Sequence, residues 1–155
     1  MPASFFPKAP LTDHILSVVR TLGFPVGDAD GPVEAHGWQG EPNSDGTNFI
    51  PWYVVMPGQA GQSSGPFGSS QADWRMPYYF TIAGVRRKQT EMMSDKLRQT
   101  LTSQERVKIP TYEETWSLQQ ARVVSVGGMS RMSTVNPSYF LQTDTVEIWY
   151  SKELV

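Results

Sequence analysis

The residues best placed to do chemistry in this chain cluster where a strand-like pattern passes into a helical one. The stretch is "AGVRRKQT", Ala83 to Thr90. A phosphate-binding loop needs several glycines, so that backbone N–H groups can surround the anion, with a Lys and a Ser/Thr behind them. Here Gly84 stands alone and that pattern is not met. Arg86, Arg87 and Lys88 still bring three positive charges to a helix start, where the helix dipole mildly disfavours them. The corner reads as solvated charge or as an anionic contact with a partner protein, with a nucleotide site as the remaining alternative.

Other chemistries lack their parts. There is no G-x-S-x-G elbow and no cysteine. The two histidines, His14 in the first turn of a helical pattern and His36 in a turn-rich stretch, have no evident nucleophile beside them. "DADG", Asp28 to Gly31, opens like a calcium loop, but its twelfth position is Gln39 where a bidentate Glu is required. Glu113 and Glu114 are adjacent, so on a strand they would point apart and read as solvated charge. The aromatic stretches "FIPWYVVM" and "MPYYFTIAGV" contain no Lys or Arg, which argues against a base-stacking platform and for core or protein interface. No catalytic residue, metal ligand or cofactor site is assigned.

The elements that must position these residues are readable from periodicity. "LTDHILSVVRTLG" reads as a helix, with Ile15, Val18, Val19 and Leu22 on one face. Thr12 is its expected N-cap, Leu11 and Leu16 a hydrophobic staple, and Gly23 its stop. Phe49 to Met56 reads as a strand, with Pro51 at its start or on an edge. Residues 57–75 have a linker's composition and read as one long Gly/Ser-rich loop. A loop of that length within a domain is mobile or an interaction device, and Phe67 and Trp74 favour interaction.

Tyr78, Phe80 and Ile82 alternate against Tyr79, Thr81 and Ala83 as a second strand. The stripe Met93, Leu97, Leu101, with Met92 beside it, makes an amphipathic helix of about four turns. Gln120 to Val126 and Ser138 to Tyr150 read as strands, joined by a hairpin connection over 127–137. The order α-β-β-α-β-β predicts an α+β fold, a mostly antiparallel four-stranded sheet with both helices on one face.

Composition sets the outer bounds. At 155 residues, one domain is expected. Eighteen aromatics supply a real core. A formal net charge of −2 argues against general phosphate-backbone binding, so no nucleic-acid partner is expected. No apolar run of membrane-spanning length occurs, so a soluble protein without a membrane partner is expected. Ten of the 12 prolines lie at or before Pro77 and ten of the 13 glycines at or before Gly68, which places the loops in the first half.

A pattern across residues 10–151 then stands out. "PLTDHILSVVRTLGFPVGDADGP" is followed by "GWQG", by a strand pair feeding "VRRKQTEMMSDKLRQTL", and by a last strand "DTVEIWYS". This resembles the tail terminator proteins of long, non-contractile-tailed bacteriophages, especially those of actinobacterial hosts. The resemblance implies a non-enzymatic α/β subunit in a homo-oligomeric, hexameric ring. Such a ring caps the tail tube, stops its polymerisation and joins the tail to head-completion or stopper proteins. It implies a virion location, reached from the host cytoplasm during assembly. Three alternatives stay open: a neighbouring neck-ring protein, a small enzyme with a scattered site, and a peptide-binding module on a strand edge near Pro51. The expected contact residues are Gln59, Phe67 and Trp74 in the long loop, and Arg86, Arg87 and Lys88 at the basic corner.

Overall fold

A computed structural model describes residues 6–29, 51–62, 73–132 and 138–153. Its first element is helix α1, Lys8–Arg20. The helix starts four residues before the expected Thr12 cap, and Thr12 itself is buried within it. Pro7 and Pro10 look like a boundary in sequence. Yet the first-turn N–H groups of a helix have no intrahelical partner, so Pro10 costs no bond there. Leu11, Ile15, Val18 and Val19 form the buried face, with Leu16 also buried. The chain leaves the helix through Gly23 at φ +87°, a conformation that favours glycine.

Eight strands follow among the described residues, where four were expected. They are β1 (Val26–Asp28), β2 (Trp52–Pro57), β3 (Gly61–Gln62), β4 (Asp73–Gly84), β5 (Val107–Pro110), β6 (Thr115–Val126), β7 (Ser130–Met132) and β8 (Tyr139–Lys152). Helix α2, Arg87–Thr102, lies between β4 and β5. Three of the expected strands are present and longer; the one expected over Phe49 to Met56 is described as Trp52–Pro57, with Phe49 and Ile50 outside the described residues. The additional strands are short. β1, β3, β5 and β7 have two to four residues each, too few for a period-two pattern to stand out.

All belong to one sheet of order β1-β2-β4-β8-β6-β5. Among the described residues only the β1–β2 pair is parallel. β3 continues the line of β2 along β4, and β7 continues the line of β6 along β8. The stretches expected as a 57–75 loop and a 127–137 connection are therefore partly sheet at β3, at the start of β4 and at β7.

Each interruption has a cause. Pro77 sits inside β4, and its carbonyl accepts from Gly58 N at 2.7 Å. Its missing N–H faces that same neighbour, so the flanking strand breaks opposite it. At the second break a Cβ on Gly127 would lie 2.0 Å from the Thr143 carbonyl oxygen, so the turn admits only glycine. Bulges between Leu118 and Gln120 and between Val123 and Ser125 kink β6 further.

Both helices pack on one face of this sheet, as the sequence predicts. The core joins Leu11, Ile15 and Val19 of α1 and Met93, Leu97 and Leu101 of α2 to inward rows from the strands. Those rows include Tyr53 and Val55, Tyr78, Phe80 and Ile82, and Val146, Ile148 and Tyr150. The hydroxyls of Tyr78 and Tyr150 meet inside it at 2.8 Å, and Tyr53 donates from its hydroxyl to the Met93 carbonyl at 2.9 Å. A smaller apolar cluster of Trp52, Val54, Ala83 and Tyr139 covers part of the opposite face. The join at Gly84 is architectural. A Cβ there would lie 2.4 Å from Thr90 Oγ1, so its absence lets α2 fold back closely on β4.

Candidate functional site

The basic corner forms where β4 gives way to α2. Arg86 occupies the helix N-cap position in extended conformation, with no side-chain cap and no acidic residue in the first turn. Gln89 reaches back and accepts from Val85 N at 2.8 Å. Arg87 pairs with Glu91 one turn on, at 2.6 Å. Arg86, Lys88 and Lys96 are exposed, and none pairs with a carboxylate among the described residues. These three cations rim a cavity of about 360 Å3 whose other walls are Phe24, Gln89, Met92 and Met93. Phe24 is fixed by an edge contact with Tyr53, ring centroids 5.8 Å apart. The floor is apolar and the rim positive, a combination suited to an apolar side chain flanked by carboxylates.

Sequence reasoning reached Arg86, Arg87 and Lys88 but not Lys96, Phe24 or Met92, which complete the cavity. Met92 and Lys96 are one helical turn apart and were legible as one face of α2. Phe24, outside any long periodic element, carried no such signal.

The remaining expected contact residues lie elsewhere. Gln59 is exposed in the connection from β2 to β3. Phe67 lies outside the described residues. Trp74 is in β4, half-buried, and stacks on Phe6 with centroids 4.9 Å apart. It belongs to the margin of the core more than to a loop. Trp74 sits near the start of β4 and the basic corner follows its end, so roughly 30 Å of extended strand separate them. Trp74 and the basic corner therefore lie at opposite ends of β4.

A second polar site was not anticipated. Asp144 of β8 is fully buried and faces α2. Its Oδ2 accepts from the Ser94 hydroxyl at 2.5 Å and lies 3.7 Å from Arg98 Nε. Its Oδ1 accepts from Gln142 Nε2 at 2.9 Å and from the Gly127 backbone N–H at 3.1 Å. Gln142 Nε2 also donates to Ser94 Oγ at 2.9 Å, and Arg98 Nε donates to it at 3.3 Å. Arg98 is held in addition by Asp95. The carboxylate thus ties α2, β8 and the β6–β7 break together, beside a small surface cavity of about 300 Å3. These directional bonds pin the helix to the sheet.

Of the two histidines, His14 is half-buried on α1; burial lowers its pKa, opposed by a hydrogen bond with Gln104. His36 lies outside the described residues, as do Asp30 and Gly31 of "DADG". Among the described residues no group of three or more His, Cys, Asp or Glu side chains converges as a metal site. No helix described is long and apolar enough to cross a membrane. Glu113 and Glu114 diverge: Glu113 is exposed, while Glu114 pairs with Lys152 at 2.9 Å.

No protein-family model matches this sequence, and no curated protein matches it significantly. Solved structures do. A chain from the virion of a native gene transfer agent particle superposes with a TM-score of 0.57 at 11% identity, covering 97% of this chain and 100% of that one. A second solved chain aligns over 96% of this one and 94% of its own length, at 10% identity and a TM-score of 0.47. The first likeness establishes a shared fold.

Proposed function

We propose that this protein is a structural subunit of a phage-like virion, and within that class a tail terminator. Its copies form a hexameric ring on the last ring of the tail tube, end tube growth and present a surface to head-completion or stopper proteins. The observation that carries this reading is the end-to-end fold likeness to a chain of a gene transfer agent virion. The resemblance of residues 10–151 to tail terminators supports the finer role. The partners are further copies of this chain, the tail tube protein and a head-completion protein. Assembly takes place in the host cytoplasm and the mature location is the virion neck. The role is non-enzymatic.

The structure suits such a role physically. One face of the sheet is sealed by both helices. The other exposes Met56 and Tyr79 beside the Trp52 cluster, and further apolar side chains stand out at Val124 and Val126. Exposed apolar side chains near mixed charge are what permanent subunit contacts use.

Disrupting the coding sequence and imaging the lysate tests the role. A terminator's loss gives abnormally long tails lacking heads. Tails of normal length beside unattached, leaky heads would instead identify a stopper and overturn the terminator reading. Labelled protein found away from the head-proximal end of the tail would overturn both.

A further inference from the structure

The basic-rimmed cavity has a complement on the same chain. The turn joining β5 to β6 carries Tyr112, 65% exposed, followed by Glu113, also exposed. Thr111 braces this turn: its N–H and its hydroxyl both donate to the Glu114 carbonyl, at 2.9 and 2.6 Å. Glu114 is in turn held by Lys152. The result is a braced projection, an aromatic ring beside a carboxylate that meets no cation among the described residues.

The two features lie at opposite corners of the sheet. The cavity sits over the β1–β2 flank, through Phe24 and Tyr53, at the end where β4 finishes. The projection hangs from β5, the strand at the other margin, at the end where β8 finishes. Four strand spacings separate β2 from β5 in the sheet order, on the order of 20 Å. A copy cannot seat its own projection in its own cavity.

We propose that copies of this chain join head to tail, with the Tyr112–Glu113 projection of one copy seated in the cavity under Arg86, Lys88 and Lys96 of the next. The Tyr112 ring covers Phe24 and Met92, and Glu113 meets the rim cations. This gives a use to Arg86 and Lys88, which the helix dipole disfavours and which no acidic residue of the first turn offsets, and to the exposed Lys96 further along the helix. A contact between two different patches repeats from copy to copy. It closes into a ring when the rotation per copy permits. One aromatic anchor is the centre of a larger interface, not all of it. The inference deepens the ring-subunit reading and rests on it for its biological setting.

The sequence contains no cysteine, so introduced thiols report single positions. Glu113→Cys and Lys96→Cys are prepared separately in the full chain, mixed at high concentration and treated with a short bis-maleimide. Both positions are exposed, and thermal melting confirms that each variant folds. The expected result is mixed dimer exceeding either homodimer by about tenfold, with a ladder from the doubly substituted chain. Moving the second thiol from Lys96 to Ser125, exposed on β6, should abolish the excess. Adding Tyr112→Ala to the Glu113→Cys chain should reduce it several-fold.

Mixed dimer no more abundant than homodimer overturns the contact, whether or not sedimentation shows larger assemblies. If assemblies form without the excess, the ring reading stands on a different interface. If the ladder forms but imaging finds the protein away from the neck, self-association stands and the terminator role falls.

Discussion

The inward-facing row of β8 changes character halfway along. Val146, Ile148 and Tyr150 are buried in the main apolar core, while Gln142 and Asp144, four and two residues before Val146, are buried in a polar network. Both halves are roofed by helix, and both halves remove water. They do different work. Apolar contact is non-directional and tolerates small slips of one element over another. A carboxylate fed by Ser94, Gln142 and Gly127 has one good arrangement, so the polar half fixes where α2 lies on the sheet. The basic corner and its cavity are carried on that same helix, so their placement depends on the pin.

This difference predicts unequal responses to truncation. The largest effect should come from the apolar half. Trp116 pairs in register with Lys152 beside that row and is completely buried. Trp116→Ala should cost about 3–5 kcal/mol in chemical denaturation, from lost transfer energy and the cavity left behind. A cost under about 1 kcal/mol would mean that this end of the core collapses around the gap, and the contrast would fail at its first term.

Asp144→Ala should come next, at about 3 kcal/mol, because Ser94, Gln142 and the Gly127 N–H lose their shared acceptor. Asp144→Asn keeps the shape but presents an amide nitrogen to at least one donor, and should retain only part of the loss. A double-mutant cycle with Ser94→Ala sharpens the point. Coupling of about 1 kcal/mol or more marks a network acting as a unit; additive costs would reduce it to separate bonds. The cross-linking excess described above should fall in Asp144→Ala even where the chain stays folded, since the cavity moves with α2.

The same contrast explains what the sequence made legible. The apolar stripe Met93, Leu97, Leu101 and the alternation of Tyr78, Phe80, Ile82 carry their own periods, and the corresponding helix and strand were found. The polar half was visible only as a broken pattern. Gln142 and Asp144 share parity with Val146, Ile148 and Tyr150, and Ser94 lies one turn from Arg98 and next to Met93, inside the buried stripe. A polar residue at a core-facing position is read as a flaw in the period unless its partners are known, and those partners are about fifty residues away. Trp74 misled for the opposite reason. Its Gly/Ser-rich surroundings suggested a loop, but Phe6 and the edge of β8 hold it as part of a strand. The basic corner was legible because charges adjacent in sequence stay adjacent at a helix start. Its cavity was not, because Phe24 comes from the short connection between α1 and β1, outside any periodic element.

The smallest effect belongs to a polar contact inside the apolar half, the Tyr78–Tyr150 hydroxyl pair. At neutral pH, Tyr150→Phe should cost only about 1 kcal/mol, the usual net value of a neutral hydrogen bond. Its signature lies in alkali. Burial raises the Tyr78 pKa from 10.0 to about 12, against the opposing hydrogen bond with Tyr150. Burial also pushes Tyr150 well above the ordinary range, reinforced by Tyr78. The unfolded chain loses these protons first, near pH 10, while the folded chain keeps them. Fewer protons bound in the unfolded state make stability fall as pH rises. The contribution is therefore whole below pH 10 and is lost as pH climbs toward 12. Denaturation midpoints should stay level up to about pH 10 and then drop, and the drop should be shallower in Tyr150→Phe, which has one fewer proton to retain. Equal slopes in the two proteins would show that Tyr150 titrates as it does in the open chain, and the apolar half would then be wetter than its packing requires.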